Sequence, residues 1–323
     1  MSGHHSAPGT IDPSLSAAVT RRITAWSVAT AAVLIVLKTG ALSASGSVAV
    51  LSSLADSSLD LLASLITFWA VRYAAEPPDA EHRFGHGKAE AVAGLVQAAL
   101  VFASAALVGR EAIGRMLDPV PVDHGGWAVA VMAASIALTG LLVAAQTRAL
   151  KQTGSVAVSG DRAHYFADLA GNGVALVGVG GAAWLNLPWL DAAAGLIVCV
   201  WLLWGAYGVL GGAADHLLDK GLKPDQQARI VALAKDDPAV IGVHQLRTRV
   251  SGPVVLMQMH MDLDPALTLD EAHVVMVAAE NRILAEYPAA DILIHPDPRG
   301  RAEPHGGAFS ETAAHDHDHE DEI

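Results

Sequence analysis

Apolar residues run along this chain in long blocks separated by short polar joints. Six blocks can cross ~30 Å of hydrocarbon at ~1.5 Å per residue. They run approximately Ile23–Leu42, Val48–Tyr73, Ala89–Val108, Trp127–Ala145, Ala163–Leu187 and Trp189–Leu210, and predict a six-helix transmembrane bundle. Lys38 interrupts the first block, near enough to its end for the ammonium to snorkel to the interface. The second and fifth blocks are the least clean, because they hold ionisable pairs. Trp26, Trp69, Tyr73, Trp127, Trp184 and Trp189 stand at block ends, where amphipathic rings settle at the membrane surface.

After Leu222 the pattern becomes that of a soluble domain. Pro224–Asp237 reads as a short amphipathic helix and Val240–Arg249 as a strand. In the strand Val254–Leu263, Met257, Met259 and Met261 alternate with polar residues. Thr268–Tyr287 reads as a helix opened by the capping box Thr268 and Glu271, and Asp291–His295 as a last strand. The order α-β-β-α-β predicts a small α+β sheet domain. The chain thus divides into a disordered N-terminal tail (1–15), a transmembrane domain (16–212), a cytoplasmic domain (213–298) and a His/Asp-rich disordered tail (299–323).

Composition agrees with a membrane protein carrying a soluble appendage: of 323 residues, 52% are hydrophobic and only 16% charged. Much of the net charge of −13 comes from the second half, Glu311 to Glu322 included, so it says little about the membrane part. Basic residues are few and unclustered, which argues against a nucleic-acid partner. The single cysteine, Cys199, excludes a disulfide framework within one chain and reads as a small buried hydrophobe. Met1 to Ser14 lacks a charged segment ahead of a short apolar core, so no cleavable signal peptide is expected. Arg21, Arg22, Arg72, Arg83, Lys88, Arg148, Lys151, Lys220 and Lys223 fall on one side of a six-span arrangement. The positive-inside rule then places both termini in the cytoplasm.

The chemistry starts with four residues that a bilayer should not tolerate. Asp56 and Asp60 lie in the second block, His164 and Asp168 in the fifth. Each i, i+4 pair projects from one helix face, one turn apart. A charge at mid-membrane costs ~3 kcal/mol on insertion scales, so these groups need a partner. Three carboxylates and one imidazole form a ligand set for a divalent metal such as zinc; a proton relay without metal is the alternative. Asp161 and Asn172 are left outside the set. With a dication bound, three carboxylates and a neutral His sum to −1. Emptied, they sum to −3, so protons should compete with metal for the same atoms. A second Asp in place of His164 would favour Mn2+; the imidazole favours zinc.

Two further constellations are less specific. Asp79, His82 and His86 have ligand spacing in the loop after the second block, where Gly85 and Gly87 hint at a shaped turn, but loop histidines are common. His244, His260, His273, His295 and Asp297 are spread over three strands and a helix, where single histidines are usually structural. The tail run HDHDHE, His315–Glu320, is a compositional metal-binding signal or solvated disorder.

ADSSLD in the second block, FGHGKAE after it and HYFAD in the fifth block resemble the cation diffusion facilitator family, and within it the bacterial zinc/iron efflux antiporters. The likeness runs from about Ser16 to Pro298. It implies a homodimer in the bacterial plasma (inner) membrane, joined through metallochaperone-like cytoplasmic domains, that exports Zn2+, with Cd2+ or Fe2+ as further cargo, in exchange for protons. It assigns Asp56, Asp60, His164 and Asp168 to the transport site and Asp79, His82 and His86 to a loop site. His244, His260, His273, His295 and Asp297 become a binuclear zinc site of structural or regulatory role. Lys88 and Asp219 match a salt bridge at the junction of the two domains. Pro296 departs from the family, whose close members carry a polar residue there; it removes a backbone donor and a side-chain ligand. Competing classes are a membrane-anchored metal sensor that does not transport and an intramembrane metalloenzyme. The latter lacks its H-E-x-x-H motif here, and no P-loop supports ATP hydrolysis, so no enzymatic activity is expected.

Overall fold

The computed structural model describes residues 8–45, 48–117, 126–185 and 189–300. Of the expected N-terminal tail, residues 8–15 are described and are not disordered: Gly9 is buried, its carbonyl accepting from Ala289 N–H at 3.1 Å, and the first helix opens at Pro13. The C-terminal tail beyond Gly300, with the whole HDHDHE run, lies outside the described residues. Six long helices come first: α1 (Pro13–Ser45), α2 (Val48–Ala74), α3 (Ala89–Leu117), α4 (Gly126–Thr153), α5 (Val156–Leu185) and α6 (Trp189–Leu217). There follow α7 (Pro224–Lys235), β1 (Gly242–Ser251), β2 (Val254–Leu263), α8 (Leu269–Glu286) and β3 (Ala290–Pro298). Among the described residues, α1, α2, α3, α4 and α6 contain stretches long and apolar enough to cross a membrane. The remaining long helix, α5, spans 30 residues and carries the His–Asp pair.

The helix ends follow local chemistry. Asp12 accepts from the backbone N–H of Ser14 at 2.8 Å and opens α1 ahead of the apolar block. Pro77 and Pro78 follow α2 and prevent its continuation. Gly154, at φ +62°, closes α4, its N–H bonded to Leu150 O at 3.0 Å. Ser155 then caps α5, its Oγ accepting from the N–H of Val158 at 3.3 Å. The buried Glu90 of α3 accepts the Ser155 hydroxyl, tying α3 to the N-terminus of α5. Hence α5 starts seven residues before the apolar block at Ala163: the hydropathy pattern leaves out about two turns, in which Ser159, Asp161 and Arg162 interrupt the apolar residues.

Packing brings the ionisable pairs together. α1 packs on α2 and α4, and α3 on α5 and α6. At the α3–α5 crossing, a Cβ on Gly160 would lie 3.5 Å from Gly94 Cα and 2.7 Å from Gln97 Cβ, so only glycine permits this approach. Gln97 reaches the other way, donating to Ala63 O (2.9 Å) and Thr67 Oγ1 (2.8 Å) of α2. One residue of α3 thereby fixes α2 against α5. Large apolar side chains such as Val36, Leu62, Leu107, Leu141 and Trp204 remain exposed, as lipid-facing positions should.

Cα packing divides the chain into two units: Met1–Leu222 with Arg249–Leu256 and Tyr287–Ala290, and Lys223–Thr248 with Met257–Glu286 and Asp291–Ile323. The sheet has the order β1-β2-β3. Ile241 N–H bonds to Asp262 O at 2.9 Å, setting the start of β1 against the end of β2, as a hairpin requires. Arg299 N–H bonds to Leu263 O at 2.9 Å and Val255 N–H to Ala289 O at 2.9 Å, so β3 runs parallel to β2 through the α8 crossover. Met257, Met259 and Met261 are fully buried on one sheet face, while Gln258, His260 and Asp262 occupy the other. The capping box of α8 is formed: Thr268 N–H donates to Glu271 at 2.8 Å, and Glu271 N–H to Thr268 Oγ1 at 3.3 Å.

Candidate metal centres

Asp60, His164 and Asp168 converge between α2 and α5, each offering a ligand atom within 4.8 Å of the others. His164 Nε2 lies 3.1 Å from Asp60 Oδ1, and both residues are buried. His164 Nδ1 and Asp168 Oδ2 are buried with no hydrogen-bond partner among the described residues. Buried polar atoms are rarely left so, which makes them natural ligand atoms. Asp56, one turn before Asp60, is more exposed and does not join the three-residue group, yet it lines the same cavity of 330 Å3. Asn172 lines it too.

Two further groups at this site escape sequence reasoning. Lys38 does not snorkel: its Nζ donates to Ser57 Oγ at 2.6 Å, and its side chain lines the cavity beside both acidic pairs. The inward turn corrects the hydropathy reading, because carboxylates and a buried hydroxyl receive the ammonium better than the interface does. Asp161, completely buried, accepts from Gln146 Nε2 at 2.8 Å and from Ser64 Oγ at 3.4 Å. Gln146 also donates to Ser27 Oγ (3.1 Å), and the Tyr165 hydroxyl reaches Ser27 O (3.2 Å) and Ser64 Oγ (2.8 Å). This network ties α1, α2, α4 and α5 together one turn from His164 and accounts for the polarity of Asp161 inside an apolar helix.

In the loop between α2 and α3, Asp79 Oδ2 lies 3.3 Å from His86 Nε2 and Asp79 Oδ1 lies 3.6 Å from His82 Nδ1. The backbone N–H groups of His82 (2.6 Å) and Glu81 (2.9 Å) also bond Asp79 Oδ1. The His82 N–H is the main reason that the Asp79 carboxyl titrates below its ordinary value. Gly85, at φ +76°, makes the turn that returns His86 towards Asp79. His86 is buried and tilted against the Tyr73 ring at 4.5 Å, whereas His82 is exposed.

On the open sheet face, Asp297 of β3 bridges three imidazoles. Its Oδ2 lies 2.8 Å from His260 Nδ1 and 3.4 Å from His244 Nε2, and its Oδ1 3.4 Å from His295 Nε2. His244, His260 and Asp297 form a three-ligand group; His295 stands at its edge, its ring 4.8 Å from that of His260. His273 is exposed on α8 and does not join this group. Asp262, which the sequence reading passed over, lies 3.5 Å from His244 Nε2. Gln245, at φ +51°, bends β1 immediately after His244.

Lys88 and Asp219 pair at 2.9 Å, and Arg249 reaches the second Asp219 oxygen at 3.3 Å. Burial pushes the Asp219 carboxyl up, but hydrogen bonds and charge from Lys88 and Arg249 outweigh it and hold the group below its ordinary value. Cys199 is half-buried, its Sγ donating to Ala105 O at 3.1 Å in the α3–α6 packing, as befits a small hydrophobe.

Comparison with known proteins adds an independent finding. A model of the cation efflux transmembrane domain matches residues 24–218, and one of the cation efflux protein cytoplasmic domain matches residues 222–299. The cation-efflux pump FieF of Shewanella oneidensis is 40% identical over 272 residues, spanning 84% of this chain and 92% of that protein. Its namesake from Cronobacter sakazakii is 37% identical over 268 residues, 83% of this chain and 89% of that one. The namesake from Citrobacter koseri is 36% identical over the same shares of each chain.

Proposed function

The chain belongs to the cation efflux family, and from that premise we propose that it exports Zn2+ from the cytoplasm in exchange for protons. It is a multi-pass membrane transporter of cations, not an enzyme. Asp56, Asp60, His164 and Asp168 hold the ion in transit. The observation that carries this reading is the convergence of Asp60, His164 and Asp168 on a cavity inside apolar helices. Water is scarce there, so ionised ligands need a cation, and protons are the substitute when the metal leaves. One imidazole among carboxylates favours zinc over manganese and leaves Cd2+ and Fe2+ as further cargo. Alternating access exposes the cavity first to one side and then to the other.

The loop residues Asp79, His82 and His86 form a second zinc site near the membrane surface. His244, His260, His295 and Asp297 form a regulatory site in a cytoplasmic domain through which two copies pair; His273, exposed on α8, stands outside it. Residues 299–323 are a tail after a membrane domain (16–212) and that cytoplasmic domain (213–298), and residues 1–15 lead into the membrane domain, with α1 opening at Pro13. The basic residues near the helix ends place both termini in the cytoplasm of a bacterium whose inner membrane holds the protein.

Zinc flux into sealed proteoliposomes under an imposed pH gradient tests the reading. Flux that rises with the gradient and reverses when the gradient is reversed is the expected result. Zinc binding without gradient-dependent flux would replace antiport with a membrane-anchored sensor.

A further inference from the structure

The cavity that holds the acidic pairs also holds a cation of the protein's own. Lys38 lines it together with Asp56, Asp60, His164 and Asp168, and only 7% of the lysine is exposed. Its Nζ donates to Ser57 Oγ at 2.6 Å. Ser57 is fully buried and sits between Asp56 and Asp60 on α2, so the bond fixes the ammonium beside the carboxylates. A protonated amine has three donors and no lone pair, so it cannot ligate a metal. It can balance charge.

We propose that Lys38 is a tethered counter-ion that lowers the affinity of the transport site so that its ion can leave. The proposal rests on the reading that Asp56, Asp60, His164 and Asp168 form that site. Three carboxylates, a neutral imidazole and a dication sum to −1; adding the Lys38 ammonium brings the loaded cavity to zero. A neutral cavity can change its access across hydrocarbon without moving net charge, and the lysine repels the dication at close range in a low dielectric. Without that charge, the loaded site is anionic. It grips the metal harder and releases it more slowly. The bond to Ser57 Oγ holds the ammonium on a hydroxyl that is not one of the four ligands, so the lysine weakens binding without taking a ligand's place.

The test is zinc flux against zinc concentration, at one fixed pH gradient, in proteoliposomes of the full chain. The proteins are wild type, K38M, K38Q, K38R and Asp168→Ala. K38M replaces the stem without charge, whereas K38Q keeps a donor for Ser57, so together they separate charge from packing, and either serves if the other fails to fold. Both neutral variants are expected to lower KM by about tenfold and kcat by a similar factor. K38R, which restores the charge, moves KM back towards wild type. Neutral variants with the wild-type KM overturn the proposal, as does a KM raised alike in K38M, K38Q and K38R, which marks a packing role. Asp168→Ala separates the two ideas. Flux indifferent to Asp168 sinks the transport-site reading, whereas flux that needs Asp168 but ignores the charge at 38 sinks the counter-ion alone.

Discussion

The membrane set and the sheet set use the same ligand types in opposite proportions and surroundings. Asp56, Asp60 and Asp168 outnumber His164 inside apolar helices, while His244, His260 and His295 outnumber Asp297 on the open face of a sheet. Both oxygens of Asp297 lie within 3.4 Å of imidazole nitrogens, yet His244 Nε2, like atoms of the membrane set, is buried without a hydrogen-bond partner among the described residues. The membrane set leaves Asp168 Oδ2 and His164 Nδ1 without partners and keeps a lysine at its side. The carboxylate majority and the lysine beside it fit the proposed passage of an ion through the membrane set, and the imidazole majority fits the proposed retention at the sheet set.

The comparison breaks most visibly at Asp60. Loss of groups that merely orient a ligand already costs about 10–100-fold, so Asp60→Ala is expected to cut zinc flux by about 100-fold or more. His260→Ala should change flux only about threefold while reducing the zinc retained per chain, measured by elemental analysis after dialysis. A smaller effect concerns selectivity. His164→Asp gives the membrane set an all-oxygen character and should raise the Mn2+ to Zn2+ flux ratio by about tenfold, read by competition in the same vesicles. An unchanged ratio would mean that the imidazole does not select the metal.

Next comes stability around each set. Gln146→Ala removes the donor to the buried Asp161 and should cost about 1–3 kcal/mol, seen as a lower Tm of the detergent-purified chain. The smallest effect lies at the far end of the sheet domain. Thr268→Ala removes the cap of α8 and should cost about 1 kcal/mol, read as faster hydrogen exchange in the first turn of α8. The Thr268 backbone N–H and hydroxyl hold Glu271 below its ordinary carboxyl value. That contribution is therefore present above the unfolded pKa of about 4.3 and is lost as pH falls through the lower folded value. The same exchange measurement across this range checks it.

The two regions also differ in how much of them could be read from the sequence. The alternation of Met257, Met259 and Met261 reports burial directly, and the strand Val254–Leu263 appears with those bounds. The acidic pairs were legible because i, i+4 polarity inside an apolar block has no other easy explanation. Lys38 was not, since hydropathy records that a charge is near a helix end but not which way its stem turns. The Asp161 network was hidden for a related reason. Ser27, Ser64, Gln146 and Asp161 each look like isolated polarity in separate segments, and only helix packing joins them. Asp262 beside His244, and His273 apart from the Asp297 group, depend on sheet register and on the face that α8 presents. Spacing along the chain encodes neither.

The most direct measurement is zinc flux in a chain whose other sites are gone. His82, His86, His244, His260 and His295 are all changed to Ala, with Asp168→Ala added in a second protein. The account predicts that the first protein still carries zinc along the pH gradient and that the second does not. Loss of flux in the first, with flux retained by Asp168→Ala alone in an otherwise unchanged chain, would contradict it.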